Sequence, residues 1–285
     1  MGFWIKMNID LHVHSEYAPN GKWPLRNIFE LAKARDISYL AITDSYCVEG
    51  LKEASKLSDE FGIKLIKGVE MQSNSRVHIL AYNFDENNEG FLRTLKESRE
   101  WADSGKIKGM VKKLQDNYSI DITLEEICKS QNTISPSTKQ FCQALVLKGL
   151  AQDWREAKEL FFLPNSKNGN CYIGVKYDPE YLVKKAKQAG AIVILAHPQQ
   201  IETKEVNIDE LMPKLIDSGL DGIEVYYHNP SFDENKKHKA FKLLHDFGLK
   251  IISGGSDFNG NNITCLGGDP KITTDLISEE LYGGK

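Results

Sequence analysis

The 285-residue chain has no apolar run near the roughly 20 residues that a bilayer span requires. Its first seven residues hold one lysine and no apolar stretch followed by small residues, so they do not read as a signal peptide. Both absences lead to the expectation of a cytoplasmic protein without a membrane partner. Its five cysteines, Cys47, Cys128, Cys142, Cys171 and Cys265, include no C-x-x-C pair, and their number is odd. That excludes a disulfide framework or a zinc knuckle and leaves reduced, mostly buried thiols. A net charge of −4 offers no general basic surface, which argues against duplex nucleic acid as a partner and leaves room only for a local basic groove. There is no internal repeat and no low-complexity segment. Histidine is scarce too: the chain has seven.

What is present is an ordinary globular composition, 41% hydrophobic and 27% charged, enough for one large domain with an insertion. The alternating residues 9–14 suit a strand, followed by a helix over 25–35, a short strand at 39–42 and a helix at 50–61. Two more strands are expected at 64–70 and 77–82. Between residues 85 and 174 the pattern turns to long helical periodicity, as over 91–114 and 154–161. Ser135-Pro136 is expected to open a helix there, since serine caps and proline fits the first turn. Strand–helix alternation then resumes, with helices at 178–189, 208–218 and 232–247 and strands at 191–195, 222–225 and 250–253. Such units predict an α/β barrel of parallel strands over 1–84 and 175–285, interrupted by a helical insertion subdomain over 85–174.

In a parallel barrel the site lies at the C-terminal strand ends. The chemistry-bearing residues fall there. His12 and His14 end the first strand, Asp44 the second and Glu70 the third. His78 lies in or beside the fourth, His197 follows the fifth, Glu224 is in the sixth and Asp257 follows the last. His12 and His14, two apart, share a face. Paired imidazoles joined by carboxylates from other strands make a divalent-metal site. A single histidine at a strand end is ordinarily structural, but four of seven in such positions is a poor coincidence. Glu224 reads equally as a residue that caps or pairs, and His228 as pocket wall or surface.

Six segments carry a resemblance: Asp10-Leu11-His12-Val13-His14-Ser15, Ala41-Ile42-Thr43-Asp44, Lys67-Gly68-Val69-Glu70, Val77-His78-Ile79-Leu80, Leu195-Ala196-His197-Pro198 and Gly254-Gly255-Ser256-Asp257-Phe258. In this order they resemble the polymerase and histidinol phosphatase (PHP) family. The resemblance implies a distorted (β/α)7 barrel, TIM-like but with seven strands. The insertion and the run Gly219-Leu220-Asp221-Gly222-Ile223-Glu224-Val225-Tyr226-Tyr227 resemble the branch of nucleotide phosphatases and exoribonucleases.

The resemblance further implies one metal on His12, His14, Glu70 and Asp257, and a second sharing Glu70 and adding His78 and His197. The family's third metal uses an acid or histidine at the position of Asn20 and histidines at those of Ser45 and Asn259, all poor ligands here. The branch's Arg-Pro-His, which helps bind phosphate, reads Ser137-Thr138-Lys139. Two divalent ions, Zn, Mn or Fe, are therefore expected. The nucleophile would be hydroxide on the metal pair. Asp257 would orient it or take its proton, with Asp44 next, and His228 is a candidate donor to the leaving group. Three functions stay open: a phosphoesterase on a small phosphorylated metabolite or nucleotide, a hydrolase of an amide or ester, and an inactive metal-binding module.

Overall fold

The computed structural model describes residues 6–73, 77–163, 170–174, 176–201, 206–228, 234–261 and 264–283. Seven strands form one sheet in sequence order: β1 (Asn8–Val13), β2 (Ile37–Ile42), β3 (Lys64–Gln72), β4 (His78–Tyr82), β5 (Ile192–Leu195), β6 (Gly222–Tyr227) and β7 (Ile251–Gly255). Helices α1 (Leu25–Ala34) and α2 (Leu51–Phe61) connect the first three strands. Between β4 and β5 come α3 (Glu89–Glu100), α4 (Lys106–Tyr118), α5 (Leu124–Gln131), α6 (Thr138–Leu147) and α7 (Trp154–Phe161). Then α8 (Pro179–Gln188), α9 (Ile208–Asp217) and α10 (Glu234–Asp246) precede β5, β6 and β7 in turn. The expected start of the last helix, residue 232, lies outside the described residues. Among the described residues no helix is long and apolar enough to cross a membrane.

The sheet curls until β7 returns to β1, giving a nearly closed seven-strand barrel. Val13 bridges Phe258 in parallel, and His14 N donates to Phe258 O at 2.7 Å. Buried Asp10 clamps the same seam. Its carboxylate accepts from Ser256 N (3.0 Å), Ser256 Oγ (2.6 Å), Gly267 N (2.6 Å) and His12 N (3.2 Å). The strands approach so closely that a Cβ on Gly255 would fall 2.3 Å from that of His12, so only glycine fits. Apolar residues Ile9, Leu11, Tyr39, Ala41, Ile66, Leu80, Tyr82, Ile194 and Ala196 pack into one cluster of this barrel.

One expectation fails. The strands are not all parallel: β4 runs antiparallel to both β3 and β5. The reason is the length of the link at residues 73–77. A parallel crossover needs a dozen residues or more, whereas a short link reverses the chain. His78 therefore opens β4 rather than closing it, and this reversal keeps it level with Gln72 at the end of β3.

The described chain divides into two compact units, residues Met1–Lys96 with Tyr177–Lys285, and residues Glu97–Lys176. Most of α3, up to Lys96, belongs to the first unit, where the rings of Phe84 and Phe91 stand 5.2 Å apart. The stretch of helical periodicity expected over 91–114 is α3 and α4, joined by a wider π turn, Trp101–Gly105. The helix expected to open at Ser135-Pro136 instead begins at Thr138. Ser137 caps it by accepting from Gln140 N, and Gln140 Oε1 accepts from Ser137 N in return. The second unit's core is apolar: Ile107, Met110, Leu114, Ile127, Phe141, Leu145 and Phe161, among others.

Candidate metal centre

Glu70, at the end of β3, is almost completely buried and faces four imidazoles. His78 Nδ1 lies 2.8 Å from its Oε1, while His12 Nε2 and His197 Nε2 each lie 3.4 Å from the same oxygen. His14 Nε2 lies 3.7 Å from Oε2. Asp257 joins from the turn after β7, with Oδ1 3.2 Å from His14 Nε2 and 3.9 Å from His12 Nε2. Two groups have ligand atoms within 4.8 Å of one another: His12, His14 and Glu70, and Glu70, His78 and His197. Glu70 is common to both.

The donor set fits metal. Buried His12 Nε2 and His14 Nε2 find no hydrogen-bond partner among the described residues. Buried nitrogens are ordinarily satisfied, so an orphan pair beside two carboxylates is a donor set suited to a divalent cation. Backbone geometry also marks the site. His197 (φ 27°) and Asp257 (φ 50°) both sit in the left-handed region, which non-glycine residues enter at a cost.

Electrostatics without metal follow from the crowding. Burial works against the charge on His12, but Glu224 and Asp257 more than offset it and hold its pKa well above the ordinary value. His14 is raised against burial by Asp257 and Glu70. Burial would raise Glu70, yet His78, His12 and His197 hold it well below the ordinary carboxylate range. Asp257 is likewise lowered, by His12 and His14.

The structure assigns partners to residues whose part the sequence left open. Glu224 is fully buried. Its Oε1 lies 3.0 Å from His12 Nδ1 and its Oε2 accepts from His197 N at 2.8 Å. Tyr227 Oη donates to Asp257 Oδ2 at 2.9 Å and accepts from Gln200 Nε2 at 2.7 Å. Glu224 and Tyr227 are three apart, and strict alternation would send them to opposite faces. A register shift between Glu224 and Tyr226 restores both to one side. The sequence marked Glu224 only as a carboxylate within a strand, and Tyr227 only as the end of the run 219–227.

Asp44 is buried and accepts from Ser15 N and Ser15 Oγ, both at 2.6 Å, so it ties the loop after β1 to the end of β2. The His228 ring packs against Gly268, and its backbone N donates to Gly255 O at 3.1 Å. Burial lowers its pKa. Of the three substituted positions, Ser45 Oγ donates to Glu70 Oε2 at 3.1 Å, Asn259 Oδ1 accepts from Asn261 N, and Asn20 is exposed. Lys139 Nζ lies 5.1 Å from the Trp154 ring centroid within the second unit.

Relatives share this architecture. The chain is 28% identical over 268 residues to a 3′,5′-nucleoside bisphosphate phosphatase of Chromobacterium violaceum, covering 88% of this chain and 87% of that one. It is 22% identical over 259 residues to a phosphoribosyl 1,2-cyclic phosphate 1,2-diphosphodiesterase of Eggerthella lenta, covering 88% and 94%. A crystal structure of a candidate metal-dependent phosphoesterase from Bifidobacterium adolescentis superposes with a TM-score of 0.67 at 24% identity, over 97% of this chain and 96% of that one, which supports the fold. An amidohydrolase from Chromobacterium violaceum, solved with bound sulfate, gives 0.64 at 28% identity over 94% and 92%. The PHP domain pattern matches residues 10–161, more than half of the sequence, and the chain belongs to the PHP family.

Proposed function

We propose that this protein is a metal-dependent phosphoesterase acting on a small phosphorylated metabolite or nucleotide, with two divalent ions, Zn, Mn or Fe, held by His12, His14, Glu70, His78, His197 and Asp257. The observation that carries the reading is Glu70, one buried carboxylate shared by two histidine groups. The activities in the names of the two curated relatives, a bisphosphate phosphatase and a cyclic phosphate diphosphodiesterase, favour phosphate over an amide or ester.

A bound metal pair supplies Lewis acidity and activates water near neutral pH. The chain's own groups do the rest. Asp257 faces the imidazoles with one oxygen and is held by Tyr227 through the other, which fixes the carboxylate for orienting water or accepting its proton. Asp44 braces the loop after β1 through Ser15. His228 would serve a leaving group only when protonated, and its lowered pKa confines that form to acid pH.

Asn20, Ser45 and Asn259 lack the charge or imidazole that a third transition metal needs. Protein purified without chelator should therefore carry two ions per chain by elemental analysis. It should hydrolyse a nucleoside bisphosphate, a cyclic phosphodiester or a small phosphomonoester, lose that activity to a chelator and regain it with metal. Three tightly bound ions, or turnover of amides alone, would overturn the reading.

A further inference from the structure

We infer that Glu224 is a positioning residue that couples the two halves of the centre by fixing the tautomer of His12. The inference rests on the metal reading above and concerns a residue outside the ligand set. Glu224 offers two carboxylate oxygens, and each faces one nitrogen: His12 Nδ1 at 3.0 Å and His197 N at 2.8 Å. His197 N is a backbone amide and can only donate. A carboxylate can only accept, so His12 Nδ1 must carry its proton in the neutral ring. Its Nε2, the buried nitrogen without a partner that faces Glu70 and Asp257, is then left with the free lone pair a metal needs.

One carboxylate thus serves a residue of each histidine group. On the His197 side it holds the amide of a residue at φ 27°, so it also pins the strained turn that aims this imidazole at Glu70. Glutamine at this position separates charge from geometry. It has the shape of glutamate but only one acceptor oxygen. With that oxygen on His197 N, its NH2 group faces His12 Nδ1 and drives the proton to Nε2. The His12 site is then blocked while the His197 turn stays in place.

The test is a zinc titration of chelator-stripped wild type and Glu224→Gln, followed by calorimetry and elemental analysis, with metal-free melting curves as the control for folding. Wild type should take up two ions. Glu224→Gln should keep one at wild-type affinity, bind the other at least about tenfold more weakly, and melt close to wild type without metal. Two ions at wild-type affinity in the variant would overturn the role of Glu224 alone. No zinc in wild type would overturn the metal centre and this inference with it. Should the variant not fold, nitrogen-15 histidine spectra of zinc-loaded wild type decide the matter, with the His12 signal assigned by its loss in His12→Ala. Protonated Nδ1 supports the inference, and protonated Nε2 overturns it.

Discussion

The barrel and the insertion are built on opposite principles. Every buried charged residue among the described ones, Asp10, Asp44, Glu70 and Glu224, lies in the barrel unit, as do the buried imidazoles of His12, His14 and His197. The insertion unit buries Ile107, Met110, Leu114, Phe141, Leu145 and Phe161 and fastens its helix starts with exposed capping residues. A buried charge is costly unless paired or metal-bound. The barrel holds its charges in place through hydrogen bonds that span the chain, whereas the insertion's buried core is apolar and its helix starts are capped locally. One unit is organised around chemistry and the other around stability.

The sharpest way to break that contrast is at Glu70. Glu70→Gln should strip metal from both histidine groups and lower turnover at least about a thousandfold, tenfold beyond the most that losing a supporting partner costs. Elemental analysis and steady-state kinetics check it, and full metal content in the variant would refute the shared role. In the insertion the matching large change is Phe141→Ala, which should cost about 3–5 kcal/mol in denaturant unfolding. The metal content of the folded protein should stay at the wild-type value.

Acidity gives a smaller, graded effect. His12 and His14 are raised above 6.5, so their stabilising share in metal-free protein is complete below about pH 6.5 and is lost as pH rises through the raised values. Glu70 and Asp257 are lowered from 4.5 and 3.8, so their share is present above those values and is lost as pH falls through the lowered ones. Metal-free protein should therefore melt highest between about pH 4.5 and 6.5 and lower at pH 9. Metal competes with protons for the imidazoles, so loaded protein should hold its melting point or gain over that range. Melting curves with and without chelator check this, and parallel curves would count against it. The smallest effect belongs to a cap: Ser137→Ala should cost about 1 kcal/mol and leave hydrolysis unchanged, as chemical denaturation and an activity assay would show.

Much of this was legible in the linear sequence. Apolar alternation at β1, the continuous apolar run at β5 and the helical periodicity of α1, α2 and α8 are local signals, and they placed His12, His14 and His197 at strand ends. The kinds of donor were legible for the same reason, because imidazole and carboxylate side chains are visible without any fold. The reversal of β4 was hidden by the regularity of the units around it, although the short link at residues 73–77 forbids a crossover. The cap at Ser137 was displaced by Ser135-Pro136, an equally good local pattern two residues earlier.

The sequence by itself determined the family, the strand–helix order and the residue types available to hold metal, because each depends on neighbours a few positions apart. Only the tertiary structure decided that Glu224 reaches both His12 and His197, and that Glu224 and Tyr227 share one face. Those outcomes depend on register. Glu224 meets His12 across 212 positions, and a one-residue shift in β6 turns side chains that simple alternation would separate toward the same centre.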